Sequence, residues 1–561
     1  MMTDNNNDLG CQDWNSAPPA DRKVVDFYDG ASIFVTGGTG FVGKALIEKL
    51  LRSCTGLKNI YLLIRPKRGK DIECRFQELL ENPVFDRIRS TDEAEKVFEK
   101  VVCISGDVSD PDLGLSAEDR QRLCSDVTIV FHSAATVKFN ETLRTAVTLN
   151  TLGTQRVVDL CRSMPKLKAM IHVSTAYSNA DKVTIQESVY KPPADPGFVI
   201  NCCQKMSEDD LREMGRRMQG KHPNTYTMTK AMAEWVVAEQ ADDIPAAIVR
   251  PSIVTAAWKE PFEGWVDNMS GITGIMMEIG RGTIRSIVCD QKLRVDIIPV
   301  DILVNTLITS AWHTATYRQN AVRVYNCTSG ALNPLRWEEL GNLCQYHSLT
   351  APSKYLQWYP GFSFRTNRMV HRLCEILFHF VPAFVLDIVL RLTGSKPMIL
   401  KIYRRFKMAA RTGEFFALHQ WDFISKNIQE LNKDVSFVDR RTFPIDITQV
   451  VWDKYVKDYV FGIRNYVLKD PPSTIPQALS KLQRFYWMHR MAQCADQKQD
   501  FIFCIILTTS IIIIYYSYIT VDVIFYYFMY NFSNKINFIN HIIIICKKNY
   551  IYIYIYIIYT I

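Results

Sequence analysis

From residue 31 to about residue 300, apolar positions follow two alternating rhythms. Short unbroken runs rich in β-branched residues read "SIFVTGG", "NIYLLIR", "KVVCISGDV", "VTIVFHSAA", "LKAMIHVSTAY" and "AAIVRPSIV". Between them lie stretches with the three-and-four spacing of helices, such as "FVGKALIEKLLRS". Strands that lack polar alternation are buried on both faces, so the pattern predicts a parallel sheet with helices on either side. The expected fold is therefore α/β, a doubly wound parallel sheet over residues 31–340, behind a polar leader at 1–30.

Beyond about residue 340 the pattern becomes mainly helical, aromatic and basic, which predicts a helical domain over 341–470. Its stretch "MVHRLCEILFHFVPAFVLDIVLRLTG" is apolar enough for a membrane span. Pro382, Asp387 and Arg391 interrupt it, which suits a buried or interfacial helix at least as well. The remainder, 471–561, opens with a basic stretch and continues into "FIFCIILTTSIIIIYYSYITV", residues 501–521, without one charge. That segment is long enough to cross a bilayer. Lys481, Arg484, Arg490 and Lys498 before it would keep their side cytosolic. The closing "IYIYIYIIYTI" is what an alternating TATA run in DNA encodes, so residues beyond about 520 are expected to be a read-through artefact.

Composition narrows the class. Apolar residues make up 48% and charged residues 22% of 561, as in a globular protein with a large core. A net charge of +8, spread along the chain, excludes the dense basic field of a nucleic-acid binder. Fifteen cysteines include no C-x-x-C pair and no His spacing that suggests a metal site. With no apolar signal-peptide core at the N-terminus, this points to a reducing, cytosol-facing compartment.

The chemistry begins at "VTGGTGFVGKAL", which spaces Gly37, Gly40 and Gly43 between a strand and a helix. Such a turn lets backbone approach a pyrophosphate that sits at a helix N-terminus. Thr36, Phe41 and Val42 complete this candidate cofactor-binding set. At the end of the second strand an NAD enzyme would carry a carboxylate for the ribose diol; "LLIRPKRG" instead places Arg65 there, with Lys67 and Arg68 behind. A guanidinium suits a 2′-phosphate, so the expected cofactor is NADPH. Asp107 and Val108 follow the third strand, where adenine would lie. Ala134 and Ala135 follow the fourth, where small side chains let the cofactor pass.

"HVSTAY" ends the fifth strand with Ser174 and Thr175, and "YTMTK" follows some fifty residues later. A Tyr and a Lys four residues apart share a helix face, and alone they are most often a solvated face. Beside a glycine turn and a strand-end hydroxyl they become a proton-transfer set for a carbonyl. Thr175, preferred over Ser174, would hydrogen-bond the carbonyl oxygen, and Tyr226 would protonate it. Lys230 would hold the cofactor ribose and lower the phenol's pKa by its charge. His132 and His172, on apolar strands, are read as core or supporting residues, and Cys202 and Cys203 as bystanders.

Several stretches together, "FYDGASIFVTGGTGFVGKALIEKLLRS", "YLLIRPKRG", "VFHSAATVKF", "HVSTAYSN", "YTMTKAMAE" and "VRPSIV", resemble an extended short-chain dehydrogenase/reductase with a Rossmann-type sheet. With "KIYRRFKMAARTGEFFALHQWDF" and "WDKYVKDYVFGIRNYVLKD", the chain more narrowly resembles fatty acyl-CoA reductases of the male-sterility type, over about residues 25–495. The resemblance implies that NADPH reduces a long-chain fatty acyl-CoA to a primary alcohol and CoA through an aldehyde. It implies a C-terminal domain that shapes an acyl tunnel and meets a lipid bilayer, at the endoplasmic reticulum or the peroxisome. It implies no metal and no nucleic acid, and leaves a homo-oligomer open. The alternatives are a two-electron reductase of an aldehyde or sterol-like ketone, and a non-catalytic NADPH-binding membrane scaffold.

Overall fold

The computed structural model describes residues 23–66, 69–319, 321–392, 394 and 396–496. Seven strands form its main sheet: β1 Ser32–Thr36, β2 Asn59–Ile64, β3 Val101–Ser105, β4 Ile129–His132, β5 Ala169–Val173, β6 Ala246–Pro251 and β7 Arg323–Cys327. All pairs are parallel, in the spatial order β7-β6-β5-β4-β1-β2-β3. The helices that matter below are α1 Phe41–Ser53, α2 Ile72–Leu80, α3 Gly153–Arg162, α4 Thr225–Gln240, α5 Val300–Thr316, α6 Val381–Leu392 and α7 Ile399–Ala417.

Alternate residues of the strands enter two separate cores, as their unbroken apolar runs require. Ile33, Val35, Phe131, Ile171 and Val249 pack with Leu46 and Leu50 of α1 and with Leu303 and Leu307 of α5. Phe34, Val130, Met170 and Ile248 pack on the other side, with Val157 and Leu160 of α3 and Val237 of α4. Each fully buried side chain of this size contributes about 1.5–3 kcal/mol, so these two layers dominate the stability of the sheet. Helix α5 is buried along nearly its whole length although it carries several threonines. Its Thr306, Thr309 and Thr314 donate to the carbonyls of Ile302, Asn305 and Ser310 one turn back, which removes the cost of burying their hydroxyls.

The register brings the working ends of three strands level. Thr36 of β1 pairs with His132 of β4, and His132 pairs with His172 of β5. The segments that follow these residues therefore share one edge, at the point between β1 and β4 where the strand order reverses. In doubly wound sheets this is where a dinucleotide lies.

By compactness, residues up to Glu375 together with Arg405–Gln483 form one unit, so the later segment packs with the sheet. Within it, Asp422–Phe423 pairs in parallel with Thr184–Ile185, and the Trp421 indole donates to Ala180 O at 3.2 Å. The Tyr455 hydroxyl reaches both Thr255 Oγ1 and Ala256 O at 2.7 Å.

Ile376–Arg404 belongs to the second unit. Arg368–Leu392 is long and apolar enough to cross a membrane, and 24% of its most apolar window is buried. The helix continues through Pro382, with a π-helical stretch, Ile376–Phe380, directly before it, so the proline distorts the helix locally without ending it. Asp387 has a structural use, accepting from the backbone N–H groups of Ile399 at 2.8 Å and Leu400 at 3.0 Å at the start of α7. The apolar segment 501–521 and the tail after it lie outside the described residues.

Candidate active site

The glycine turn is built by contact. Gly37 has φ +76°, and a Cβ there would stand 2.7 Å from Ala134 N and 2.8 Å from Ser133 Oγ. A Cβ on Gly43 would stand 2.3 Å from Gly37 O and 2.7 Å from Gly38 Cα. Only glycine lets the turn close on both the fourth strand's exit and helix α1. Gly40 is the N-cap of α1, and no side chain among the described residues caps the first N–H groups of that helix. Those donors and the helix dipole are free to meet a pyrophosphate, so the turn fits the dinucleotide that its pattern predicts. Thr36 supports it from beneath: its Oγ1 lies 2.7 Å from His132 Nδ1 and accepts from Ala134 N at 3.2 Å. Phe41 stacks on Trp265 with 5.1 Å between ring centres, and Val42 is half-buried.

Arg65 leaves β2 with its side chain 59% exposed and its guanidinium 3.7 Å from the Asp107 carboxylate. Asp107 Oδ1 accepts from Ser109 N at 2.9 Å, and Val108 is buried. Ala134 and Ala135, half-buried, line the turn after β4. Lys67 and Arg68 lie outside the described residues. A second arginine, which the sequence reading missed, reaches the same place. Arg75 of α2 donates to Arg65 O, and its other terminal nitrogen is 3.5 Å from Thr39 Oγ1 in the glycine turn. The available signal was Asp71, which caps α2 by accepting from Cys74 N at 2.7 Å and so fixes where Arg75 emerges.

Tyr226 and Lys230 belong to α4, whose N-cap Asn224 accepts from Thr227 N at 2.9 Å. The cap places Tyr226 in the first turn and Lys230 one turn later on the same face. Lys230, 2% exposed, donates to Val173 O at 2.7 Å and is thereby held against the end of β5. The Thr175 hydroxyl hydrogen-bonds the Tyr226 phenol. Ser174 faces away: its Oγ donates to Glu234 Oε1, which also accepts from Arg250 Nε at 2.9 Å, while Arg250 Nη2 holds Glu234 Oε2 at 2.7 Å. Of the two hydroxyls, Thr175 is the one at the phenol.

The electrostatics correct one expectation. Burial pushes the Tyr226 phenol up to about 12, the Thr175 hydrogen bond only partly opposes this, and Glu234 adds to the rise. Lys230 does not bring the phenol down: desolvation and Glu234 both raise it, and only the Thr175 hydroxyl acts against them. Lys230 itself is lowered to about 8 by burial, with Glu234 acting in the opposite sense.

Behind these groups lies a polar layer. His132 Nε2 is 3.0 Å from Thr154 Oγ1, and burial takes the ring down to about 3, so it stays neutral. His172 is fully buried and its ring nitrogens have no hydrogen-bond partner among the described residues. Asn150, also missed, sits in a π-helical stretch, Val147–Leu152. Its Oδ1 accepts from Thr136 N at 2.9 Å, and its Nδ2 donates to Thr229 Oγ1 at 3.0 Å. It ties the loop after β4 to the turn between Tyr226 and Lys230, the kind of position where such bulges recur.

A parallel sheet reversing at β1, a glycine turn there and a Thr–Tyr–Lys cluster at its edge define an extended short-chain dehydrogenase/reductase. Comparison with known proteins narrows this. Two models described as male sterility protein match residues 35–307 and 378–470. Fatty acyl-CoA reductase 1 of Rattus norvegicus is 38% identical over 462 residues, covering 82% of this chain and 89% of that protein. Fatty acyl-CoA reductase 2 of Mus musculus is 38% identical, covering 84% and 91%. The chain belongs to the fatty acyl-CoA reductase family and is an oxidoreductase. Among solved structures, the reductase domain of a nonribosomal peptide synthetase from Mycobacterium tuberculosis shares the fold at 19% identity, with a TM-score of 0.53 over 80% of this chain and 96% of that one. The terminal R domain of the myxalamid pathway does so at 17% identity and a TM-score of 0.52, over 78% and 91%.

Proposed function

We propose that this chain reduces long-chain fatty acyl-CoA to a primary alcohol and free CoA, using two NADPH. The observation that carries the reading is the meeting of the Thr175 hydroxyl, the Tyr226 phenol and Lys230 at the end of β5, beside the glycine turn. NADPH bound along that turn supplies the hydride. Thr175 and Tyr226 hold the thioester oxygen, and Tyr226 gives it a proton as negative charge develops there. Lys230 holds the cofactor ribose and supports the return of a proton to Tyr226. The first reduction leaves a hemithioacetal, which expels CoA as a thiol and becomes the aldehyde. The second, at the same three residues, gives the alcohol. Two hydrides and two protons balance the four-electron change. The test is the product made by membranes carrying the full chain, given NADPH and mixed acyl-CoAs: fatty alcohol supports the reading, and aldehyde alone favours a two-electron reductase.

The preference for NADPH rests on Arg65 and Arg75, which bring two guanidinium groups to the rim where a 2′-phosphate would lie. Replacing either by Ala is expected to raise KM for NADPH about tenfold or more, the loss of one charge-assisted contact, with little change for NADH. Steady-state titration of both cofactors checks this.

The pH dependence follows from Lys230. Its proton is present below about pH 8 and lost above, whereas the phenol near 12 stays protonated throughout. The value of kcat/KM should therefore be full on the acid side and fall as pH rises through about 8. Lys230→Arg, whose guanidinium stays charged, should push that limb upward. A profile that stays flat past pH 9 (roughly a unit above that limb) would contradict the role.

A membrane-held protein with its catalytic unit in the cytosol, at the endoplasmic reticulum or peroxisome, suits a poorly soluble product. Phe378, Phe384, Ile388 and Leu392, exposed along the apolar helix, support this.

A further inference from the structure

Glu187 joins parts of the compact unit that lie far apart in sequence. Its Oε1 accepts from Asn326 N on β7 at 3.1 Å, and its Oε2 accepts from Asn427 N at 2.6 Å. Asn427 stands in the first turn of α8, Lys426–Asp434, and Lys426 N also donates to the Glu187 carboxylate. The side chain of that helix's N-cap, Ser425, reaches Thr328 Oγ1 at 3.2 Å instead of capping. Half-buried Glu187 thus supplies both the cap and the negative charge that a helix N-terminus favours.

The backbone on either side of Glu187 is held as well. Towards the C-terminal segment, Ile424 N donates to Ile185 O at 3.0 Å. Asn326 Nδ2 bridges Ile185 O at 3.2 Å and Ile424 O at 2.7 Å. Towards the active site, Arg250 of β6 donates to Gln186 O at 3.0 Å and Ser188 O at 2.8 Å, the carbonyls that flank Glu187. The same guanidinium holds Glu234 of α4, and Glu234 accepts from Ser174 Oγ, next to Thr175. One hydrogen-bonded network therefore reaches from the start of α8 to the strand end that carries Thr175.

We propose that Glu187 is a positioning residue, through which the C-terminal segment sets where the Thr175 hydroxyl meets the Tyr226 phenol. The inference rests on the reductase reading above. Glu187 acts through Arg250 and Glu234 and not on the substrate, so its loss falls on the rate of proton transfer and leaves binding nearly intact. A carboxylate suits this task because its two oxygens accept from two strands of backbone at once. Ala would leave Asn326 N and Asn427 N without that partner, whereas Gln keeps the shape and one acceptor oxygen.

The full chain in membranes, given palmitoyl-CoA and NADPH, tests this. Glu187→Ala should lower kcat for alcohol about three- to thirtyfold, the scale of effects carried through a packed network, with little change in either KM. Glu187→Gln should recover part of the loss, and it carries the test if the Ala variant no longer binds NADPH by fluorescence. In a Thr175→Val background the Glu187 substitution should cost little more, because the hydroxyl it positions is already gone. The same fold loss in both backgrounds, a loss confined to KM, or an unchanged kcat in both variants would overturn the proposal. Hydrogen exchange of the Gln variant in detergent gives a readout without turnover. Faster exchange is expected in peptides covering residues 172–178, and faster exchange confined to 422–434 would also overturn it. Faster exchange at 172–178 in a protein that makes no fatty alcohol would sink the reductase reading and leave the tie standing. Alcohol formation with unchanged exchange there would do the reverse.

Discussion

Replacing Tyr226 by Phe should cut fatty alcohol formation by about 10²–10⁴-fold, the usual contribution of a positioned proton donor. The substitution removes one oxygen and keeps the ring, so contacts with Phe139 persist. The loss should fall on kcat, because the phenol acts as charge develops on the substrate oxygen rather than in binding alone. Thr175 then remains as a single donor and accounts for any residual rate. Steady-state rates of alcohol release on the two proteins measure this directly. A drop below about fivefold, less than the range for such a donor, would mean that another group supplies the proton.

The second large effect concerns stability. Glu234 and Arg250 are both fully buried, joined through two nitrogens of the guanidinium, and Arg250 also donates to Gln186 O and Ser188 O. Arg250→Ala leaves a carboxylate without its cation and two carbonyls without a donor, at a cost of about 3–5 kcal/mol. Glu234 also holds Ser174, so the loosened network should disturb the strand end that carries Thr175. The unfolding midpoint of the purified protein in detergent should drop clearly for Arg250→Ala. Changing both partners, Glu234→Gln with Arg250→Met, should recover part of the loss because no lone charge stays buried. A double variant worse than the sum of the single ones would contradict this account.

Most of the sheet was legible in the sequence, because strands buried on both faces cannot alternate with polar residues and the glycines mark where backbone must approach backbone. Tyr226 and Lys230 were legible once their strand and turn were placed. What the sequence did not reveal depends on long-range packing. Arg75 reaches the glycine turn only because α2 folds back over β2. Asn150 looks like any polar residue in a helix until the π-helical stretch turns it towards Thr136 and Thr229. Phe416 meets Phe139 across more than 270 residues of chain, and no local pattern announces it. The phenol's pKa was misjudged for a related reason, since burial is a property of the whole fold while the lysine is visible at i+4. Pro382 marks a local change from π-helical to α-helical winding and not an end of the helix, a difference that depends on the packing of the turns on either side.

The central claim is that one site carries out both reductions. The most direct test supplies the full chain in membranes with palmitoyl-CoA and NADPH deuterated at the transferable position, and reads the alcohol by mass spectrometry. Two deuterons on the carbinol carbon are expected, in an amount that falls about 10²–10⁴-fold in the Tyr226→Phe control. A single deuteron, or labelled aldehyde that accumulates without alcohol, would contradict the account and leave a two-electron reductase in its place.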